Sequence, residues 1–284
     1  MPSPAFADVR PALAIGVDIT LESQESEDVP IRENGGTDPT DYAERVADRD
    51  GAAGHLSLPT LGYHCWRDLD YLPATRDMLP VALAAHVRAG QRALDVGCHQ
   101  GATAFYLAAL GLRVLGVDIN PRAIEAARQR QPDAPSLCRP EFVVADFLRD
   151  RVAAAGSLDV VVLNRFLTCL PAVEDWQDAL SRALELLTEG GLIYVGDFLL
   201  MPACPHNRDR YRQALANGGR WGNFDVLDDQ GRASFVAHHH SVQELRRMVS
   251  PYRVLCLRRF FTRSRHGHAS RMFELIGVNE RRPA

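Results

Sequence analysis

The fold of this chain is decided by residues 94–102, which read Leu94-Asp95-Val96-Gly97-Cys98-His99-Gln100-Gly101-Ala102. A short strand runs into a turn that contains two glycines, and helix-forming residues follow the turn. In an open parallel sheet, such a strand–turn–helix unit places a nucleotide-bearing ligand against the amides at the helix N-terminus. The stretch therefore predicts a doubly wound α/β fold with a nucleotide site at this turn.

A carboxylate at the end of the next strand supports the same site. Asp118 follows Val117 and lies twenty-one residues beyond Gly97. At this spacing an acidic side chain accepts hydrogen bonds from ribose hydroxyls. The alternative, that Asp118 is only a turn residue, does not explain the spacing.

The turn itself favours a sulfonium cofactor over a dinucleotide. Residues 97–101 lack the middle glycine that lets a pyrophosphate approach the helix amides. The Asp95 carboxylate would repel a pyrophosphate, whereas it would stabilise the ammonium and sulfonium charges of S-adenosylmethionine. The sequence predicts S-adenosylmethionine as the cofactor, and a dehydrogenase that binds NADH remains the alternative.

Residues 90–200 resemble the class I, Rossmann-like S-adenosylmethionine-dependent methyltransferases. The resemblance is carried by the glycine turn, the ribose acid, the run Ala145-Asp146-Phe147 after the third strand, the segment 159–170 and the glycine pair Gly190-Gly191. In this family the third motif binds adenine through a carboxylate and an apolar neighbour. The resemblance implies cofactor contacts from Asp95, Gly97, Cys98, Gly101, Asp118, Ile119, Asp146, Phe147 and Asn164.

The alternation of apolar runs and amphipathic helices predicts a sheet with both faces covered. Predicted strands are Ala93–Val96, Arg113–Val117, Glu141–Ala145, Leu158–Leu163 and Leu192–Val195, followed by a hairpin over 223–240 and paired strands over 253–261 and 271–278. The resemblance implies seven strands in the order 3-2-1-4-5-7-6, with strand 7 antiparallel and a small α/β insertion after strand 5.

The chain divides into an acidic extension over 1–55 and a methyltransferase domain over 56–284. Within that domain, 56–90 is predicted to form a lid segment and a helix over 78–87, and 199–250 a substrate-side insertion. The extension is rich in Gly, Pro and acidic residues and is predicted to be poorly ordered. Its apolar patch over 12–19 could pair with the main body, a partner protein or a second copy.

Three side chains are candidates for the catalytic side. Arg165 follows the fourth strand and could hold a substrate carboxylate or phosphate, or form a surface ion pair. His239 and His240 end the predicted hairpin, and either could act as a general base. Alternation places His238 and His240 on one face of the strand and His239 on the other. No carboxylate or cysteine stands at ligand spacing, so no metal site is expected.

The distribution of charge and cysteine along the chain indicates the class of ligand and the cellular location. Residues 1–50 hold twelve Asp/Glu against four Arg, and residues 203–284 hold fifteen Arg against seven Asp/Glu. The basic end favours an anionic ligand or pairing with the acidic head. Six scattered cysteines and the lack of a long apolar run predict a cytoplasmic protein without a membrane span.

The substrate is expected to be a small molecule of a biosynthetic pathway. The family's Asn/Asp-Pro-Pro-Tyr/Phe signature for nucleic-acid bases and protein amides is absent, because this position reads Asn164-Arg165-Phe166-Leu167. No RNA or DNA motif is present, so no nucleic-acid partner is expected. A second hypothesis is a protein of the same fold that binds the cofactor without transferring methyl, such as a cyclase.

Overall fold

The computed structural model describes residues 63–69, 78–130, 139–228, 230–263 and 269–280. Helices α1 to α5 span Ala102–Ala109, Pro121–Gln129, Val173–Leu186, Pro205–Ala216 and Val242–Val249. Strands β1 to β9 span Arg92–Val96, Arg113–Asp118, Glu141–Val144, Leu158–Asn164, Leu187–Leu199, Asn223–Leu227, Ala233–His238, Arg253–Arg263 and Ala269–Val278. The extension over 1–55 and residues 56–62 and 70–77 of the predicted lid segment lie outside the described residues.

Seven of the strands form one sheet in the order β3-β2-β1-β4-β5-β9-β8. The pairs from β3 to β5 are parallel, and β9 is antiparallel to both β5 and β8. Since β6 and β7 pair only with each other, β8 and β9 are the sixth and seventh strands of the sheet. The predicted order 3-2-1-4-5-7-6, its antiparallel strand and the α/β insertion after β5 are confirmed.

The core lies on both faces of the sheet. One cluster packs α3 against the sheet through Trp176 and Leu180, and the other packs α1 through Ala104 and Leu107. Apolar burial of this kind contributes roughly 25 cal/mol per Å². Both faces are needed because central parallel strands such as β4 carry apolar side chains on each side.

Local capping signals position the helices that follow the strands. The Asn120 side chain accepts hydrogen bonds from the amides of Arg122 and Ala123, and Pro121 occupies the first turn of α2. Ser241 and Glu244 form a reciprocal capping box at the start of α5. From the sequence, Asn120 followed by Pro121 and the spacing of Ser241 and Glu244 predict these two helix starts, and both are confirmed.

Two predicted elements differ from the structure. The helix expected over 78–87 is a single 3-10 helix, Val81–Ala85, of which only Leu83 is buried. One buried side chain provides too little apolar contact to support a longer helix. Strand β5 is longer than predicted because it pairs with β4 on one side and β9 on the other. In the part of the chain that the structure describes, no helix has the length and apolar character to cross a bilayer.

Candidate cofactor and substrate site

The turn after β1 requires glycine for two reasons. Gly97 and Gly101 have φ angles of 65° and 81°, in the left-handed region that side chains rarely adopt. A Cβ atom would lie 2.7 Å from the Phe166 ring at Gly97, and 2.7 Å from the Phe142 ring at Gly101. Cys98 is buried beside them, and its amide donates to the carbonyl of Val117. The turn is therefore packed closely against the rings of Phe142 and Phe166, with no room for a side chain at either glycine.

The Asp118 carboxylate at the end of β2 is fixed by backbone amides. Its Oδ2 accepts from the amide of His99 at 2.9 Å, and its Oδ1 accepts from the amide of Asn120 at 2.9 Å. Burial raises the pKa of Asp118, and the same two amides act in the opposite direction. Each carboxylate oxygen can accept a further hydrogen bond. The strand end thus presents an oriented acceptor pair next to the glycine turn.

Asp95 is a buried carboxylate that lacks a full set of partners. It is 1% exposed, and its Oδ2 has no hydrogen-bond partner among the described residues. Burial and the charge of Asp118 raise the pKa of Asp95 to about 8, while the Ala104 amide and Arg165 oppose the shift. A cationic group placed nearby would stabilise the ionised form. The turn is therefore suited to a ligand that carries positive charge.

This pKa shift makes a prediction for stability. The folded-state pKa of Asp95 lies above the ordinary 3.8, so the ligand-free protein loses stability as pH rises from about 4 to about 8. One pKa unit corresponds to about 1.4 kcal/mol, so a shift of this size amounts to several kcal/mol, and Asp95→Asn, which cannot ionise, should remove most of that loss. Urea unfolding at several pH values measures the difference. Parallel pH profiles for wild type and variant would contradict the assignment.

A pocket of about 260 Å³ opens beside the ends of β2 and β3. The Asp146 carboxylate at its wall accepts from the Tyr63 hydroxyl at 3.2 Å and from the Leu148 amide at 3.0 Å. Phe147 does not line the pocket: it is buried in the core, edge-on to Phe166. The lining residues are Arg67, Ile119, Pro121, Val144, Ala145, Asp146 and Asp150.

The described part of the predicted lid segment, residues 63–69, contacts this site through two backbone carbonyls. The Asn120 side-chain amide donates to the carbonyl of Trp66 at 2.8 Å and to that of Leu69 at 3.2 Å. The Trp66 ring lies 4.1 Å from the Phe235 ring of β7. The 3-10 helix Tyr63–Asp68 thus contacts both the pocket and the insertion. The sequence of this segment shows aromatic residues but does not specify these contacts.

Asn164 and Arg165, at the end of β4, interact with other groups of the protein. The Asn164 amide donates to the carbonyl of Met78 at 2.8 Å and to the Thr103 hydroxyl at 3.2 Å. Arg165 has a φ of 57° and is close enough to Asp95 and Asp197 to lower the pKa of both carboxyls. Burial nonetheless raises the pKa of Asp197 to about 7. The charge of Arg165 therefore compensates buried acids, which neither sequence hypothesis for this residue included.

The three histidines at the end of β7 have different surroundings. The His239 Nδ1 lies 2.6 Å from the Tyr211 hydroxyl, and its ring stacks on Phe198 with centroids 5.4 Å apart. Burial, with the charges of Arg210 and the neighbouring histidines, holds the pKa of His239 well below its usual 6.5. His238 and His240 lie on the opposite face, as alternation predicts, with ring centroids 4.9 Å apart. Of the three imidazole rings, it is that of His239 that stacks on Phe198, near the end of β5.

Comparison with known proteins agrees with this geometry. Residues 94–193 match the family model described as a methyltransferase domain. Together with the strand order, this match identifies residues 94–193 as a methyltransferase domain with the Rossmann-like, class I fold. The buried, incompletely partnered Asp95 fits the cofactor predicted from the sequence, S-adenosylmethionine, which carries an ammonium and a sulfonium.

The relatives cover only part of the chain. It is 35% identical over 118 residues to a 27-O-demethylrifamycin SV methyltransferase of Amycolatopsis mediterranei, covering 41% of this chain and 42% of the relative. It is 30% identical over 138 residues to a ubiquinone biosynthesis O-methyltransferase of Burkholderia vietnamiensis, covering 46% and 56%. The chain thus spans about half the length of these curated relatives.

A solved structure agrees with the fold. An S-adenosylmethionine-dependent methyltransferase from Methanosarcina mazei superposes with a TM-score of 0.65 at 24% identity, over 72% of this chain and 99% of that one. At this identity the likeness supports the fold alone.

Proposed function

We propose that this protein transfers a methyl group from S-adenosylmethionine to a small molecule. The observation that carries the proposal is the pair of carboxylates at adjacent ends of the parallel strands, the buried Asp95 and the half-buried Asp118. A cationic nucleoside satisfies both of them, because Asp95 favours positive charge and Asp118 offers two oriented acceptors. The methyltransferase names of the relatives support the same activity.

Residues of this chain would hold the cofactor as follows. Asp118 would accept the ribose hydroxyls, and the backbone of Gly97, Cys98 and Gly101 would border the methionine part. The pocket between Ile119 and Asp146 has the size and apolar wall that an adenine ring needs. The bound cofactor supplies an electrophilic methyl group, and the protein's part is to align an acceptor with it and exclude water.

His239 is the residue we propose for contact with the methyl acceptor. Its Nδ1 is bonded to Tyr211, which leaves Nε2 as the nitrogen available to a substrate. His239 is 6% exposed, whereas His240 is 0% exposed and its ring packs edge-on to Trp176 in the core, which removes His240 from this role. The ring of Phe198 beneath His239 and the half-exposed Trp221, whose ring lies 5.4 Å from that of Tyr211, suit a substrate with an apolar part. The acceptor atom is expected to be oxygen or nitrogen, because either can give its proton to an imidazole.

Single-turnover transfer of a labelled methyl group tests the proposed function. The full chain would be mixed with stoichiometric methyl-labelled S-adenosylmethionine and a panel of phenolic, amine and carboxylate-bearing small molecules. We expect label in one class of product and accumulation of S-adenosylhomocysteine. Tight binding with all label retained on the cofactor would favour the second candidate, a methyltransferase fold that uses the cofactor without methyl transfer.

Arg165 provides a narrower prediction about the substrate. If its guanidinium also contacts an anionic substrate, Arg165→Ala should raise KM about tenfold and leave the cofactor Kd unchanged, the pattern of lost ground-state binding. Arg165→Lys is the control, because it keeps the charge that compensates Asp95 and Asp197. An unchanged KM together with a lower Tm would limit Arg165 to compensating the buried acids.

A further inference from the structure

A buried cluster of two imidazoles and a carboxylate joins the insertion hairpin to helix α5. It consists of His238 and His240 at the end of β7 and Glu244 in the first turn of α5, all three buried. One potential ligand atom of each lies within 4.8 Å of the other two. We propose that these residues bind a Zn²⁺ ion. The inference does not depend on methyl transfer, because its readout is metal binding.

The orientation of His238 favours a cation over a simple ion pair. Its Nδ1 lies 2.6 Å from Asn223 Oδ1, and an amide oxygen accepts only from a protonated nitrogen. In a neutral ring with the proton on Nδ1, Nε2 carries a lone pair, and this lone pair faces Glu244 Oε2. The carboxylate oxygen is also a hydrogen-bond acceptor. Two acceptors face each other stably only when a proton or a metal ion lies between them. A carbonyl partner on the other ring nitrogen is also the usual support for a metal-binding histidine.

The separation of these two atoms matches coordination. His238 Nε2 and Glu244 Oε2 are 3.4 Å apart. A charge-assisted N–H···O bond would be shorter, about 2.7 to 2.9 Å. Two ligand atoms that each lie about 2.1 Å from a tetrahedral zinc are about 3.4 Å apart. The pair therefore has the spacing of two zinc ligands.

His240 supplies the third ligand and a second, independent observation. It is 0% exposed, and neither of its ring nitrogens has a hydrogen-bond partner among the described residues. A buried imidazole without partners is unfavourable, because it has lost its hydrogen bonds to water and has formed none within the protein. Coordination through one nitrogen removes that deficit. Two histidines and a glutamate are also a known zinc ligand set that leaves a fourth position for water.

Neighbouring groups limit how Glu244 can bind. Arg220 Nη2 lies 2.5 Å from Oε1, and the Ser241 amide donates to Oε2 at 2.8 Å. Zinc would therefore bind Oε2 alone, and the Arg220 charge would weaken the site relative to one without it. Because the His240 amide donates to the carbonyl of Phe198, a bound ion would fix the hairpin against the end of β5.

Zinc titration of the full chain tests the proposal. The protein, without any purification tag, would be stripped with a chelator and titrated against a chromophoric zinc indicator. We expect one zinc per chain, a rise in Tm of several degrees on adding zinc, and at least about tenfold weaker binding in His240→Ala. Glu244→Gln is the second variant, because glutamine preserves the capping box while removing the anionic ligand. It should also weaken binding at least about tenfold.

His239→Gln is the matched control, since it removes an imidazole from the same strand but from its opposite face. It should bind zinc as wild type does. Equal zinc affinity in wild type, His240→Ala and Glu244→Gln would show adventitious binding and overturn the proposal. The absence of any stoichiometric binding by folded wild type would overturn it as well.

Discussion

Asp118→Ala is expected to weaken binding of S-adenosylhomocysteine about a hundredfold while the protein stays folded. The substitution removes two oriented acceptors, and charge-assisted hydrogen bonds contribute roughly 1.5 to 3 kcal/mol each. A loss of about 3 kcal/mol corresponds to about two orders of magnitude in Kd. The side chain is held by the amides of His99 and Asn120, so its removal also loosens the turn. Calorimetric titration measures the effect.

The control for Asp118 is an acid elsewhere on the domain. Asp209 lies on α4 with 66% of its side chain exposed, and Asp209→Ala removes the same charge without touching the strand ends. It should leave Kd within about twofold, because exposed charges contribute little beyond the Debye length. An unchanged Kd in Asp118→Ala would exclude Asp118 as the ribose acceptor.

His239→Ala is expected to lower kcat about a hundredfold, as the loss of a general base commonly does, without changing the cofactor Kd. The low pKa of His239 keeps its ring neutral under ordinary conditions. A histidine pKa lowered in the folded protein means that the basic form persists as pH falls, so the acidic limb of the kcat profile should lie below pH 6.5. Rapid-quench kinetics across pH measures both effects.

Tyr211→Phe separates the catalytic role of His239 from a structural one. It keeps the ring that packs beside His239 but removes the hydroxyl that is bonded to Nδ1. A shifted kcat profile with an unchanged Tm would support a titrating His239. Full activity in His239→Ala would contradict the role directly.

The part of the site that the sequence predicted lies at the carboxyl ends of β1 to β4. Asp95 and Asp118 are among the last residues of β1 and β2, and Gly97 follows β1 directly. The carboxyl ends of parallel strands meet at one edge of a sheet. Strand periodicity and spacing were sufficient to bring these residues together. The same holds for the Asn120 cap and the Ser241 capping box, which are local patterns of a few residues.

Contacts between distant segments could not be predicted in this way. The bond from Tyr63 to Asp146 spans 83 residues, and no local pattern specifies it. The sequence prediction placed Phe147 against the cofactor, but the side chain packs with Phe166 in the core because the chain turns directly after β3. The sequence prediction found no carboxylate at ligand spacing from the histidines, although it placed a capping box at Ser241 and Glu244. In the structure the first turn of α5 brings the Glu244 carboxylate beside His238, a contact that the residue spacing alone did not indicate.

The central claim is that Asp95 and Asp118 at this sheet edge bind a cationic nucleoside cofactor and not a dinucleotide. Its most direct test is a pair of calorimetric titrations of the full-length protein, one with S-adenosylmethionine and one with NADH, under identical conditions. We expect one S-adenosylmethionine per chain and no measurable heat of binding with NADH, because the turn lacks the middle glycine that a pyrophosphate needs and Asp95 favours a cationic group. Binding of NADH with an affinity comparable to that of S-adenosylmethionine would contradict the account.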